Sequence, residues 1–472
     1  MLRLTARQSK TISSVARRNL VSFSGAKTKT TTLPNGFTVA SETIPGASTA
    51  TVGVWVDSGS RAENAYNNGT ANVFEHIAFK GTQSRSQQKL IQDIEAVGGE
   101  FSAYTNLENS AFYAKSLKED VPKTVELISD MLKNTKIDNS TIEAERSSLL
   151  AQAEAVEANY KQTVFDHLHA TAFQQQGLGR TIIGPADNVV SITETEVSKY
   201  VSGAIKADKL VLVGAGNVEH EQLVTLAQKH FAGLPASTPA SQFGTTKASS
   251  EDANQYKKPV FIGSEVRLRD DTMPVAYIAI AVEGVSKSSP DYFTAQVAAA
   301  VIGNWSAKSS SALFQGSKLA ALAAQEKFAL SFESFSKSYT DTGLWGIYFT
   351  TNVVDRIDDV SHFALKEWNK LSTSVSQADV ERAKAAVKAQ LILSLDSADA
   401  VAKDIGESIV NTGRRVTAEE IERSVEKVTD AQVRAWAQKN LYDQDIAISA
   451  LGPIEGLLDY LRIRNDMSMM RW

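Results

Sequence analysis

The chain contains two copies of one pattern, and this repetition constrains its fold more than any other feature. Ala103-Tyr104-Thr105-Asn106 through Phe112-Tyr113 matches Ser338-Tyr339-Thr340-Asp341 through Ile347-Tyr348 at an offset of 235 residues. Glu145-Arg146 matches Glu381-Arg382, and Thr193 with Val197 matches Thr429 with Val433, each at 236. Leu210-Val211-Leu212-Val213 ending at Gly216 matches Ile446-Ala447-Ile448-Ser449 ending at Gly452, again at 236. Four separate matches at nearly one offset imply that both halves share one fold.

Local patterns say what that fold contains. Thr51-Val52-Gly53-Val54-Trp55-Val56 and Tyr277-Ile278-Ala279-Ile280-Ala281-Val282 read as buried strands, as do Ala111-Phe112-Tyr113-Ala114 and Trp345-Gly346-Ile347-Tyr348-Phe349. Residues 121–133, 140–158 and 377–395 read as helices. Strands set before and after blocks of helices favour an α+β class: two homologous domains from an internal duplication, each a mainly antiparallel sheet packed with helices. Between the halves, residues 232–259 are rich in Ser, Thr, Ala and Pro, which marks a linker. The expected limits are 26–235 for the first domain, 236–259 for the linker and 260–472 for the second domain.

Residues 1–41 carry seven basic side chains, and the first acid is Glu42. Arg3, Arg7, Lys10, Arg17 and Arg18 share one helical face, with Leu4, Ile12 and Val15 on the other. An Arg- and Ser-rich amphipathic start without acids is the pattern of a mitochondrial transit peptide, here expected over residues 1–25. A net charge of −5 speaks against a nucleic-acid binder. No run of 18 apolar residues exists, so no transmembrane helix is expected. Cys is absent, which excludes disulfides, thiolate zinc sites and Cys nucleophiles.

The string that carries chemistry is Asn72-Val73-Phe74-Glu75-His76, on a helix expected over residues 71–80 and ending at Gly81. It differs by one residue from His-x-x-Glu-His, in which two imidazoles hold zinc and the Glu is general base toward the zinc-bound water. Asn72 and His76, four apart, lie on one face, with Glu75 beside them.

Phe74-Glu75-His76-Ile77-Ala78-Phe79-Lys80-Gly81-Thr82 resembles the β-subunits of mitochondrial processing peptidases, inverted zincins of the pitrilysin-like family. Tyr113-Ala114-Lys115-Ser116-Leu117 and Leu178-Gly179-Arg180-Thr181-Ile182-Ile183-Gly184-Pro185 are similar too. In that family the distal zinc carboxylate follows the Glu of a Glu-Arg pair by seven residues, which from Glu145 falls on Gln152. The resemblance therefore implies a degenerate site at Asn72, His76 and Gln152, with no metal and no catalytic residue expected beyond a vestigial Glu75. Asn and Gln are neutral amides and poor zinc ligands, and without the metal water keeps a pKa of roughly 15.7 rather than about 7. Glu154 and Glu157 lie off the ligand face, and His167 and His169 read as polar or packing residues at a helix end rather than a metal pair.

The ending Met467-Ser468-Met469-Met470-Arg471-Trp472 is apolar enough to mark an interface at Met467, Met469, Met470, Arg471 and Trp472. This ending, and Thr272-Met273-Pro274 after Asp270-Asp271, are similar to the core proteins of mitochondrial complex III (ubiquinol–cytochrome c reductase), especially fungal ones. That resemblance implies a non-catalytic scaffold subunit on the matrix side of the inner membrane. It implies as partners the second core protein, cytochrome b and the cytochrome c-type subunits, extending to a respiratory supercomplex, with no cofactor of its own. Two other readings stand beside it. One is an active zinc endopeptidase β-subunit removing presequences. The other is a non-catalytic module that holds an extended peptide against the strand Ser102-Ala103-Tyr104-Thr105.

Overall fold

The computed structural model describes residues 27–174, 176–237, 243, 258–308 and 316–468. The transit-peptide expectation and most of the linker lie outside these residues. The first sheet is built from β1 (Lys29–Thr32), β2 (Thr38–Thr43), β3 (Thr49–Val56), β4 (Glu100–Thr105), β5 (Ser110–Leu117) and β6 (Leu210–Gly216). The second holds β7 (Ser264–Arg269), β8 (Ala276–Glu283), β9 (Asn304–Ser306), β10 (Ser331–Ser338), β11 (Gly343–Thr351) and β12 (Ala447–Gly452). Their orders are β1-β2-β6-β3-β5-β4 and β7-β12-β8-β11-β10-β9. Each sheet has a single parallel pair, β2 with β6 and β7 with β12, and the rest are antiparallel. The protein is thus α+β with a duplicated, mainly antiparallel sheet, as expected.

Helices packed with these sheets include α1 (Thr70–Ile77), α2 (Val121–Asn134), α3 (Asn139–Glu157), α4 (Tyr160–Ala172), α5 (Tyr292–Ile302), α6 (Ile357–Thr373), α7 (Gln377–Leu393) and α8 (Ala398–Thr412). The site helix α1 is shorter than expected. It stops at Ile77, and Gly81 at φ 118° turns the chain away.

The repeated residues have physical causes. Thr193 and Thr429 each begin a helix with a capping box, closed by Glu196 and Gln432 respectively. Gly216 and Gly452 end equivalent strands at φ 102° and 103°. A Cβ there would stand 2.5 Å from the Thr49 carbonyl oxygen and 2.7 Å from that of Val275. Both positions therefore require glycine.

The unbroken apolar runs of β3 and β8 follow from burial on both faces. Val52, Val54 and Val56 point into a core shared with α2, while Trp55 points to the opposite face. That opposite face is covered by α8, which belongs to the second half. Val401, Ala402, Ile405, Ile409 and Val410 pack on Trp55, Val211, Val213 and Ala215. The mirror relation holds as well: Val164, Phe165, Leu168 and Ala172 of α4 pack on Ala279, Ala281, Tyr348 and Ala447 of the second sheet. Each half lends one helix to the other's sheet.

Polar ties reinforce the exchange. Arg61 reaches Asp341 at 3.0 and 2.5 Å and Glu108 at 2.7 Å, with all three side chains largely buried. The repeated tyrosines take equivalent roles. Tyr104 donates to Glu407 of α8 at 2.9 Å, and the Tyr339 hydroxyl lies 2.6 Å from Nε2 of His169 on α4.

The tightest point of the exchange is Gly406, where a Cβ would meet the Trp55 ring at 2.3 Å. Gly406→Ala is expected to cost about 1–3 kcal/mol through overpacking, and Trp55→Ala about 3–5 kcal/mol through the cavity it leaves. Both should lower the thermal unfolding midpoint; a Gly406→Ala chain melting with the wild type would contradict this packing.

Candidate functional site

The site forms where α1 and α3 meet the end of β4. Its foundation is Glu63, a buried acid that the sequence reading missed. The Glu63 carboxylate accepts from the N–H groups of Gly69 at 2.8 Å and Ala71 at 2.6 Å, and from the Asn68 side chain at 2.7 Å. The two backbone donors begin α1 and have no partner within the helix. Glu63 lies seven residues before α1, too far upstream for the usual capping pattern to reveal it. Burial pushes its carboxyl up to about 7, against the downward pull of these donors.

Held this way, α1 presents Asn72 and His76 toward Gln152 on α3. The Asn72 side-chain N–H donates to Gln152 Oε1 at 2.9 Å, and His76 Nε2 lies 3.1 Å from the same oxygen. An amide oxygen can only accept, so His76 Nε2–H is the donor in this contact. On the far side of the ring, Nδ1 is 3.9 Å from Glu145, whose other oxygen pairs with Lys80 at 2.8 Å. Glu75 faces Thr105, the last residue of β4, whose side chain and backbone favour its charged form. Burial raises its carboxyl above the usual range, and the Thr105 hydrogen bonds moderate the rise.

This donor set does not fit a zinc ion. A catalytic zinc takes three strong protein ligands and an open position for water. Here one imidazole stands with two neutral amides, and the amide oxygen at the centre already accepts two hydrogen bonds. Glu75 is turned to Thr105, and Glu145 is neutralised by Lys80. Among the described residues no three His, Cys, Asp or Glu side chains form a group able to hold a metal.

The remaining candidates lie elsewhere. Glu154 and Glu157 are exposed on α3. His169 is a packing residue of the seam between halves, with Nδ1 2.6 Å from the Phe165 carbonyl; burial pushes it down to about 4, so it bridges as a neutral ring. His167 is half-buried, and among the described residues it belongs to no group of three or more His, Cys, Asp or Glu able to hold a metal. Met467 requires a correction. It is 4% exposed within the second core, where it shares a cluster with Leu365, Trp368 and Leu441, so it is not a surface anchor. Met469, Met470, Arg471 and Trp472 lie outside the described residues.

Residues 38–186 match the family model for Insulinase (Peptidase family M16), and residues 191–387 match that for the Peptidase M16 inactive domain. The chain belongs to peptidase family M16. This M16 chain is 54% identical to the mitochondrial-processing peptidase subunit beta of Neurospora crassa, over 95% of its length and 92% of the relative's. It is 45% identical to the protein of the same name from Saccharomyces cerevisiae, over 90% and 91%. Among solved structures it is similar to a chain of "Complex III2 from Candida albicans, Inz-5 bound", with a TM-score of 0.83 and 33% identity over 93% of this chain and 100% of that one. The resemblance to both branches of the M16 family therefore holds.

Two expectations do not. A non-catalytic complex III scaffold as the function, and the statement that the chain is not an enzyme, are overturned by these relatives. Proteins sharing about half of its residues along nearly its whole length are named as peptidase subunits, whereas the complex III likeness rests on a structure at 33% identity.

Glu63 gives a measurable sign. An exposed Glu titrates near 4.5 and this one near 7, so between those values the folded chain binds more protons than the unfolded one and loses stability as pH rises. Compared with Glu63→Gln, the wild type should lose stability from pH 5 to pH 8 in urea titrations. A difference independent of pH would contradict the assignment.

Proposed function

We propose that the chain takes part in removing mitochondrial presequences, as the β-type subunit of a processing peptidase. The observation that carries this is its identity of 40–54% to proteins named as that subunit, from fungi to Homo sapiens, over nine tenths or more of the chain. The geometry is compatible with an extended peptide as ligand. β4 ends its sheet, so one edge is unpaired among the described residues, and its last residue Thr105 faces Glu75. A peptide added along β4 would run past Glu75 and α1. A carboxyl raised by burial exchanges protons nearer neutral pH than an exposed one. The donor set at Asn72, His76 and Gln152 does not fit zinc, so the contribution of this chain's own residues is to hold and orient the peptide.

The same proposal includes a partner, a second chain of the M16 fold, since the relatives are named as subunits. The likeness to a chain of complex III supports contact with that assembly. The partners there would be those the sequence resemblance implies, a second core protein, cytochrome b and the cytochrome c-type subunits, on the matrix side of the inner membrane. Residues 1–25 are then the mitochondrial transit peptide, followed by domains at 26–235 and 260–472 joined by 236–259. Among the described residues no helix is long and apolar enough to cross a membrane, so attachment would come through partners.

The test mixes the purified chain, alone and with the second M16 chain of the same source, with a fluorogenic presequence peptide. Saturable binding to this chain is expected, together with cleavage by the pair that ceases when this chain is omitted. A pair that neither binds nor cuts the peptide would overturn the proposal.

A further inference from the structure

The hydrogen bonds at the site leave a definite remainder. Gln152 spends its oxygen on Asn72 and His76, and Asn72 spends an N–H on Gln152. The Gln152 amide nitrogen and the Asn72 amide oxygen carry no protein partner among the described residues, and neither is among the fully buried orphaned atoms. One is a donor and the other an acceptor. A divalent cation needs acceptors only, and the donor here would repel it. A peptide group offers one carbonyl and one N–H, which match this pair.

We infer that the Asn72–Gln152–His76 triad takes a neutral peptide group, rather than a divalent cation, as its ligand. Three features beyond the two free atoms support this. First, the triad is already closed without a cation, because the Gln152 oxygen cross-links α1 to α3 by two hydrogen bonds. Second, the nearest carboxylates face other partners, Glu145 paired with Lys80 at 2.8 Å and Glu75 directed to Thr105, so neither joins the triad as a ligand. Third, the described residues of the second half show no second amide at the place of Gln152. The position matching Gln152 there is Lys388, which pairs with Glu426 at 2.7 Å, and the edge of β10 is partly covered by β9. The inference rests on the peptide-handling role proposed above and names what one part of that site grips.

The experiment uses the full chain and two probes. The first is a labelled, capped peptide without ionisable side chains, followed by fluorescence anisotropy. Gln152→Glu keeps an acceptor for Asn72 and His76 but removes the donor, and the uncharged probe does not respond to the added charge as an ionic ligand would. With a hydrogen bond contributing modestly in water, the dissociation constant should rise about 3- to 10-fold, while the unfolding midpoint stays within a few degrees. Equal affinity of a folded Gln152→Glu chain, or no binding of the probe by the wild type, overturns the inference. The second probe is cobalt(II), read by visible absorption and metal content after gel filtration. The wild type should retain none, and Asn72→His combined with Gln152→Glu should retain one per chain. Cobalt held by the wild type, or a double variant that remains metal-free, overturns the substitution of cation by amide. Loss of binding to a presequence peptide, with the cobalt results as expected, would instead count against the proposed function.

Discussion

The structure depends on an exchange: each sheet is closed on its second face by a helix from the other half. Without α8, the face of β3 and β6 carrying Trp55, Val211, Val213 and Ala215 would meet water, and without α4 the second sheet would expose Ala279, Ala281 and Tyr348. Burial of apolar area at roughly 25 cal/mol per Å² makes such exposure costly. Domains joined by small polar contacts move relative to one another, whereas a large apolar contact holds them. The two halves of this chain fall in the second class.

The exchange also positions the site. α3, which carries Gln152, ends at Glu157, and α4, lent to the second sheet, begins at Tyr160. The Asn159 side chain caps the start of α4, and Thr163 returns hydrogen bonds to the Val156 and Glu157 carbonyls. Gln152 is thereby two turns from a helix fixed in the opposite half. β4 is fixed from the other side, through Tyr104 and Glu407. The edge proposed to receive a peptide and the amide opposite it are both braced by the exchange.

Much of the fold was legible because duplicated sequence leaves duplicated causes. The matches at Thr193 and Thr429 are capping boxes, and those at Gly216 and Gly452 are left-handed strand ends that no side chain fits. The set Asn72, His76 and Gln152 was also legible: helical spacing puts Asn72 and His76 on one face, and the resemblance to processing peptidases implied Gln152 as the third position. The exchange was not legible: the apolar stripe Val164, Phe165, Leu168 and Ala172 reads the same whichever sheet it covers. Glu63 was hidden because its contacts depend on a loop that folds back rather than on a local motif. Met467 misled because a methionine near a chain end reads alike whether it meets a partner or its own core.

The central claim is that the lent helices make both halves one cooperative unit. Native-state hydrogen exchange across a denaturant series tests it most directly, by comparing the opening free energies of α4, α8, β3 and β8. The account predicts that all four open together in a single global event. Opening of β3 with α8 in one event, at a denaturant concentration where β8 and α4 remain protected, would contradict it.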